Sequence, residues 1–258
     1  MTIHSKYLWG IISIIALSLT SCKKSYLDFQ EEGEPLSAKI RFVNARNNGA
    51  SIHFWTYITR VTSSLVTQNQ STNYINTQFG DVQISFSEGS NSTLKASTQF
   101  GNAATFGASG GPNGPIPDYY HTVFAIRKKN SVTNDSLILF YDDLVAPAAG
   151  KAKVRFVHLA PLVSDIRVKA NSNTLFNSIA YGRAGNSIIA GTGLSAYSLG
   201  PFVSVDAGTL RFELTKIANE SNLALARQEI AVQEGKIYTI YLSGVTDTAL
   251  TLNSFTHN

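Results

Sequence analysis

Apolar and polar residues alternate over short stretches for most of this chain. Lys39-Ile40-Arg41-Phe42 sets Ile40 and Phe42 on one side and Lys39 and Arg41 on the other. Lys153-Val154-Arg155-Phe156 repeats the pattern, and Ile52 with Phe54, Val82 with Ile84 and Phe86, and Leu210 with Phe212 and Leu214 continue it. A period of two is that of a strand with one buried face. Thr, Ser, Val, Ile, Phe and Tyr dominate these stretches, and no long segment carries the 3.6-residue period of a helix. Asn48-Gly49, Gly80 and Gly208 stand between or just before strands, where turns call for positive φ. The pattern predicts an all-β protein.

The strands come twice. Ala38-Lys39-Ile40-Arg41-Phe42-Val43-Asn44 aligns without a gap with Ala152-Lys153-Val154-Arg155-Phe156-Val157-His158, and the same offset pairs Ile52 with Ile166 and Phe54 with Val168. Further along, Phe79 to Phe86 matches Ala207 to Leu214, and His121 to Ala125 matches Tyr238 to Leu242. Four blocks in one order, at a period this long, mean two tandem domains. Several short strands in each, with turn residues between, predict two tandem immunoglobulin-like β-sandwich domains at 36–147 and 150–258. The short Ala146-Pro147-Ala148-Ala149-Gly150 join makes them close neighbours.

The first residues differ from the rest. Lys6 precedes the apolar run Leu8 to Leu19, and small residues Thr20-Ser21 lead to Cys22, the single cysteine. This is the three-part plan of a secretory signal, and the run falls short of the about 20 apolar residues that span a bilayer. Leu19-Thr20-Ser21-Cys22 resembles a bacterial lipobox, which implies a lipoprotein signal peptide at 1–21, cleavage before Cys22 and acyl chains on it. Acyl burial is worth ~0.8 kcal/mol per CH₂, so several chains hold a protein firmly. Residues 22–35 are polar and acidic and predict a flexible lipid-anchored linker. The resemblance implies an outer-membrane lipoprotein of Bacteroidetes type. The first acids, Asp28 and Glu31-Glu32, follow Lys23-Lys24, which leaves both the cell surface and the periplasmic face open.

Lys153 to Pro161, Asp165-Ile166-Arg167-Val168, Asp206 to Leu210 and Gly235 to Tyr241 together resemble the domain-of-unknown-function family 4397 over most of 150–246. The first repeat departs from that pattern, with Asn44 in place of His158. The resemblance implies an exported sandwich and brings no catalytic residues with it.

Composition narrows the function. Hydrophobic residues make up 43% and charged ones 15% of the chain, enough apolar material for a core. A net charge of +4 with scattered basic residues offers no basic face for nucleic acid. The histidines His53, His121, His158 and His257 show no paired metal-ligand spacing, so no metal or other cofactor is expected. Gly107 to Pro115 lacks the Gly-Lys-Ser/Thr ending of a phosphate loop and reads as a long surface loop. Asp142-Asp143 reads as a solvated pair. His158, near Ser164 and Asp165, has the residue types of a hydrolase without a nucleophile elbow, and its phase with Val154 and Phe156 reads as a hydrogen-bonded structural histidine. The sharper candidate is the outward row His53, Trp55 and Tyr57, opposite Ile52 and Phe54. The second repeat has Arg167, Lys169 and Asn171 there, so an aromatic row is either a platform for a sugar or protein, or is covered by the 61–75 segment or by the second domain. The expectation is a non-enzymatic envelope lipoprotein, membrane-bound through its lipid, that acts as a binding or adhesion module for a glycan or envelope protein. A structural spacer is the alternative reading, and a hydrolase around His158 a third.

Overall fold

The structure is a computed structural model, and it describes residues 36–47, 49–101, 114–187, 199–246 and 248–258. The leader, Cys22, the 22–35 linker, Asn48 and the 107–113 part of the glycine-rich loop lie outside the described residues.

The first half holds β1 Ala38–Asn44, β2 Ile52–Thr56, β3 Thr59–Arg60, β4 Ile75–Thr77, β5 Val82–Glu88, β6 Leu94–Phe100, β7 Tyr120–Arg127 and β8 Asp135–Asp142. The second holds β9 Lys151–His158, β10 Ile166–Ala170, β11 Asn173–Ile179, β12 Val203–Asp206, β13 Gly208–Lys216, β14 Glu229–Val232, β15 Ile237–Gly244 and β16 Leu250–Thr256. The strands pair as four sheets: β4-β1-β7-β8 and β3-β2-β5-β6 in the first half, β12-β9-β15-β16 and β11-β10-β13-β14 in the second. The two halves therefore share one strand order. Each also has one parallel pair, β1 with β7 and β9 with β15. Ile40 lies opposite His121 and Val154 opposite Tyr238, the residues that the repeat makes equivalent.

Each half closes as a sandwich because the alternating apolar residues of its two sheets face each other. Ile40, Phe42 and Val123 meet Phe54, Ile84 and Phe86 in the first, with Phe42 and Phe54 rings 4.8 Å apart. Val154, Phe156 and Ile240 meet Val168, Phe212 and Leu214 in the second. Each such side chain contributes about 1.5–3 kcal/mol on burial.

A third core joins the sandwiches. Val43, Phe124, Ile126 and Phe140 from the β1-β7-β8 face pack on Val157 and Tyr241 from the β9-β15 face. The Phe124 and Tyr241 rings lie 5.5 Å apart, edge to face. The stack is thus four sheets deep, with the β1 and β9 sheets inside and the β2 and β10 sheets outside. Residues on β7 and β15 are buried on both faces, which is why both strands are continuously buried rather than alternating.

Candidate functional site

The β2 row separates into three environments. His53 is only 8% exposed. Its Nδ1 lies 3.1 Å from Thr62 Oγ1, which also accepts the Phe54 amide. Burial, with the Arg60 charge beside it, holds its imidazole below the ordinary range. The start of the 61–75 segment therefore covers this end of the row. Trp55 is half-buried. It stands opposite Ser85 on β5, and its indole nitrogen donates to Ser87 Oγ at 3.0 Å, which lays the ring along β5 on the outer face of the sheet. Tyr57 lies past the strand end, 40% exposed, with a φ of 49°. Its hydroxyl donates to the Asp81 carbonyl. Rather than continuing the row, it lines an open groove of about 620 Å³ with Leu36, Val61, Thr77, Phe79 and Asp81. The surface facing outward is accordingly Trp55 on the sheet and Tyr57 at the end of the sandwich.

The histidine with hydrolase-like neighbours is part of the framework. His158 is fully buried at the end of β9. Its Nε2 lies 3.2 Å and 3.1 Å from the Val163 and Ser164 carbonyls, so it carries the proton. Nδ1 accepts the Ala160 amide at 3.4 Å. Burial lowers the imidazole to about 4. Asn44 takes the same post in the first sandwich: its Nδ2 donates to the Ala50 and Val66 carbonyls and its Oδ1 accepts the Arg46 amide. Both side chains tie a strand end to the loop behind it.

Asp142 corrects the reading of Asp142-Asp143 as a solvated pair. Its side chain is fully buried, with Oδ1 2.7 Å from Arg155 Nη2; only Asp143, paired with Lys153 at 3.1 Å, is partly exposed. Oδ2 accepts the hydroxyls of Thr122 at 2.7 Å and Tyr74 at 2.8 Å. Desolvation works against the carboxylate, but Arg155 and these donors outweigh it and hold its pKa below the ordinary value.

The rest of this buried cluster is fixed by donor bookkeeping. Arg155 can only donate, so Thr239 Oγ1 accepts from its Nε and Nη2. Thr239 then turns its own hydrogen to His257 Nε2 at 2.7 Å. His257 carries its proton on Nδ1 and offers it to the Tyr74 oxygen at 2.5 Å, whose hydrogen goes to Asp142. The imidazole is neutral in this chain, and burial lowers it to about 3.

Two arginines anchor the flanks in matching ways. Arg155 donates to the Tyr141 carbonyl and sits over the Phe140 and Phe202 rings. Arg41 donates to the Thr256 carbonyl and sits over the Phe255 and Tyr74 rings. Each guanidinium thus reaches from one sandwich to the last strand of the other. Alternation puts Arg41 and Arg155 on the polar side of their strands, and nothing in it shows that this side is covered. The continuous apolar run Val123-Phe124-Ala125-Ile126 was the signal for a second buried face. With Arg155, Asp142 and His257 side chains at zero exposure, no substrate reaches the cluster. Its chemistry is cohesion, and among the described residues no group of histidine, cysteine and carboxylates has the arrangement to hold a metal.

A model of the family described as Domain of unknown function (DUF4397) matches residues 38–169. The match runs from β1 through the first sandwich into β10, so it covers the first repeat and the opening strands of the second rather than the 150–246 span on which the resemblance was read. No curated protein matches the chain. Among solved structures, a candidate cell adhesion protein from Bacteroides uniformis is 8% identical, with 85% of this chain and 96% of that one covered and a TM-score of 0.24. The C-terminal fragment of the pilus adhesin SpaC from Lactobacillus rhamnosus GG is 10% identical over 85% and 97%, with a TM-score of 0.16. At these scores neither likeness bears on what the chain does.

Proposed function

The chain belongs to the DUF4397 family, and from that premise we propose that it is a non-enzymatic, lipid-anchored module of the outer membrane that binds a glycan or an envelope protein. The observation that carries this is the contrast between buried and displayed groups. His121, His158, His257 and Asp142 are sealed in the framework, while the half-buried indole of Trp55 lies on the outermost sheet of the first sandwich, in a position that the second sandwich fills with Lys169. An indole on a flat strand surface, its nitrogen held by the Ser87 hydroxyl, suits the apolar face of a sugar ring or a protein side chain. His53 and Tyr57 border it rather than extend it.

The test is a glycan array together with a pull-down from envelope extract, run with the native protein and Trp55→Ala. Loss of a captured ligand in the variant supports the reading, and unchanged capture removes Trp55 from it. A second reading, that the body is a spacer within an envelope assembly, draws on the buried cluster that joins the sandwiches. Crosslinking in intact cells that traps one dominant protein neighbour irrespective of Trp55 favours the spacer. Protease accessibility of whole cells separates the surface from the periplasmic face.

A further inference from the structure

Both sandwiches place a two-residue hairpin tip at the end of the second strand, with different residues in it. In the second sandwich the tip is Asn171-Ser172, with φ of 49° and 67°. Asn171 suits it: Asn tolerates the left-handed region, and its side chain donates to the Thr209 carbonyl and accepts the Arg211 amide. In the first sandwich the equivalent tip, between β2 and β3, is Tyr57-Ile58. Tyr57 holds the same 49°; its hydroxyl donates to the carbonyl of Asp81, the counterpart of Thr209, and Ile58 is 92% exposed. A bulky residue in that backbone region is uncommon, and a nearly bare isoleucine gains nothing from the fold.

The contrast extends to the neighbours. Leu36 and Phe79, 58% and 41% exposed, share the groove with Tyr57. Their counterparts in the repeat are Gly150 and Ala207. Three apolar residues and a tyrosine thus crowd one end of the first sandwich, where the second has glycine, alanine, asparagine and serine.

That end is also where the chain arrives from Cys22. Leu36 is both the first residue of the body and a wall of the groove. Read as the coil its composition predicts, the segment from Cys22 to Leu36 has a root-mean-square span of about 20 Å. The part of the body held nearest to the acyl chains is therefore the apolar end.

We propose that the end of the first sandwich bearing Leu36, Tyr57, Ile58 and Phe79 rests on the lipid headgroups of the anchoring bilayer, with Ile58 entering them. The proposal rests on the reading that Cys22 is acylated. Tyr57, with an apolar ring and a hydroxyl, is the residue type that favours the headgroup level. The body then stands on the membrane in one orientation instead of swinging on its tether.

The chain carries its own reporter. Its two tryptophans are Trp9, in the leader, and Trp55, two strand residues or about 7 Å from Tyr57. The full mature protein, purified from membranes, is weighed by mass spectrometry for acylation and reconstituted into phosphatidylethanolamine–phosphatidylglycerol vesicles with plain or brominated acyl chains. Brominated lipid is expected to lower Trp55 emission at least twofold. Ile58→Asp should keep the melting temperature and lose most of that quenching, while Ser172→Asp, at the tip of the other hairpin, should keep it. Equal emission in the two lipids, or Ile58→Asp quenched as strongly as the native protein, overturns the proposal. A mass without acyl chains overturns the anchoring reading instead. Docking is then read from sedimentation of the unacylated protein with the same vesicles: binding weakened at least tenfold by Ile58→Asp upholds it, and no binding overturns it.

Discussion

Replacing Asp142 by Asn changes no volume and removes one charge from the buried cluster between the sandwiches. In the native protein Arg155 approaches Oδ1 at 2.7 Å, and the Thr122 and Tyr74 hydroxyls both donate to Oδ2. An amide offers one oxygen and one donor NH₂, so at least one of these donors is left facing another. The larger loss is the counter-charge of Arg155, whose side chain has no exposed surface. Breaking a buried pair by removing one partner costs about 3–5 kcal/mol, against a total of about 5–15 kcal/mol for a native protein. With a urea dependence of about 2–3 kcal/mol per M, the unfolding midpoint should fall by about 1–2.5 M. Asp143→Asn removes the neighbouring, partly exposed pair with Lys153 and should cost under about 1 kcal/mol. Adding Arg155→Met to Asp142→Asn removes the orphaned charge as well, so the double variant should be less destabilised than the two single losses summed. The reasoning fails if Asp142→Asn shifts the midpoint no more than Asp143→Asn does.

Two further outcomes follow from the buried histidines. Burial lowers His121 and His158 to about 4 and His257 to about 3, below the ~6.5 of an unfolded histidine. The unfolded chain therefore takes up protons first: stability is full above about pH 6.5 and falls as the pH drops toward 4, at up to ~1.4 kcal/mol per pH unit for each histidine. The lowered pKa of Asp142 adds a loss only below about pH 4. Calorimetry should give a lower Tm at pH 5 than at pH 7.5, and equal values would contradict it. For His158, Ala should cost about 1–3 kcal/mol by stranding the groups it satisfies, whereas Asn should retain much of the stability because Asn44 fills that post in the first sandwich; a melt in which both variants fall equally refutes the equivalence.

The all-β architecture was legible because the outer sheets are buried on one face only, as at Val168 and Ala170, and the inner strands still keep their larger apolar residues, such as Ile40 and Phe42, on the side that faces the outer sheet. The repeat aligned β1 with β9 and β7 with β15 for the same reason: core-facing residues are constrained alike in both halves. The join between sandwiches was not legible in detail. Arg41 and Arg155 look like solvent-facing residues until a second sheet is laid over them, and that sheet comes from far along the chain. Asp142 carried no local sign of burial, since its partners Tyr74, Thr122 and Arg155 lie on three other stretches. The aromatic row was half legible: alternation placed Trp55 outward, but it carried no information on Thr62 reaching across to His53 or on the hairpin turn that takes Tyr57 off the face.

The residues that join the sandwiches correspond two by two: Arg41 with Arg155, Tyr74 with Phe202, Thr122 with Thr239, Phe140 with Phe255, Tyr141 with Thr256. A surface built so is isologous, the kind found where two identical subunits meet about a two-fold axis. A residue that touches its own counterpart must lie on that axis, and here those residues are Phe124 with Tyr241 and Asp142 with His257, the latter 3.7 Å apart. In a true homodimer the second position would hold two buried carboxylates or two imidazoles face to face. Two copies in one chain escape that constraint, because the axis can be given an acid from one side and a hydrogen-bonded base from the other. The same freedom lets one half keep a polar hairpin tip while its twin exposes isoleucine.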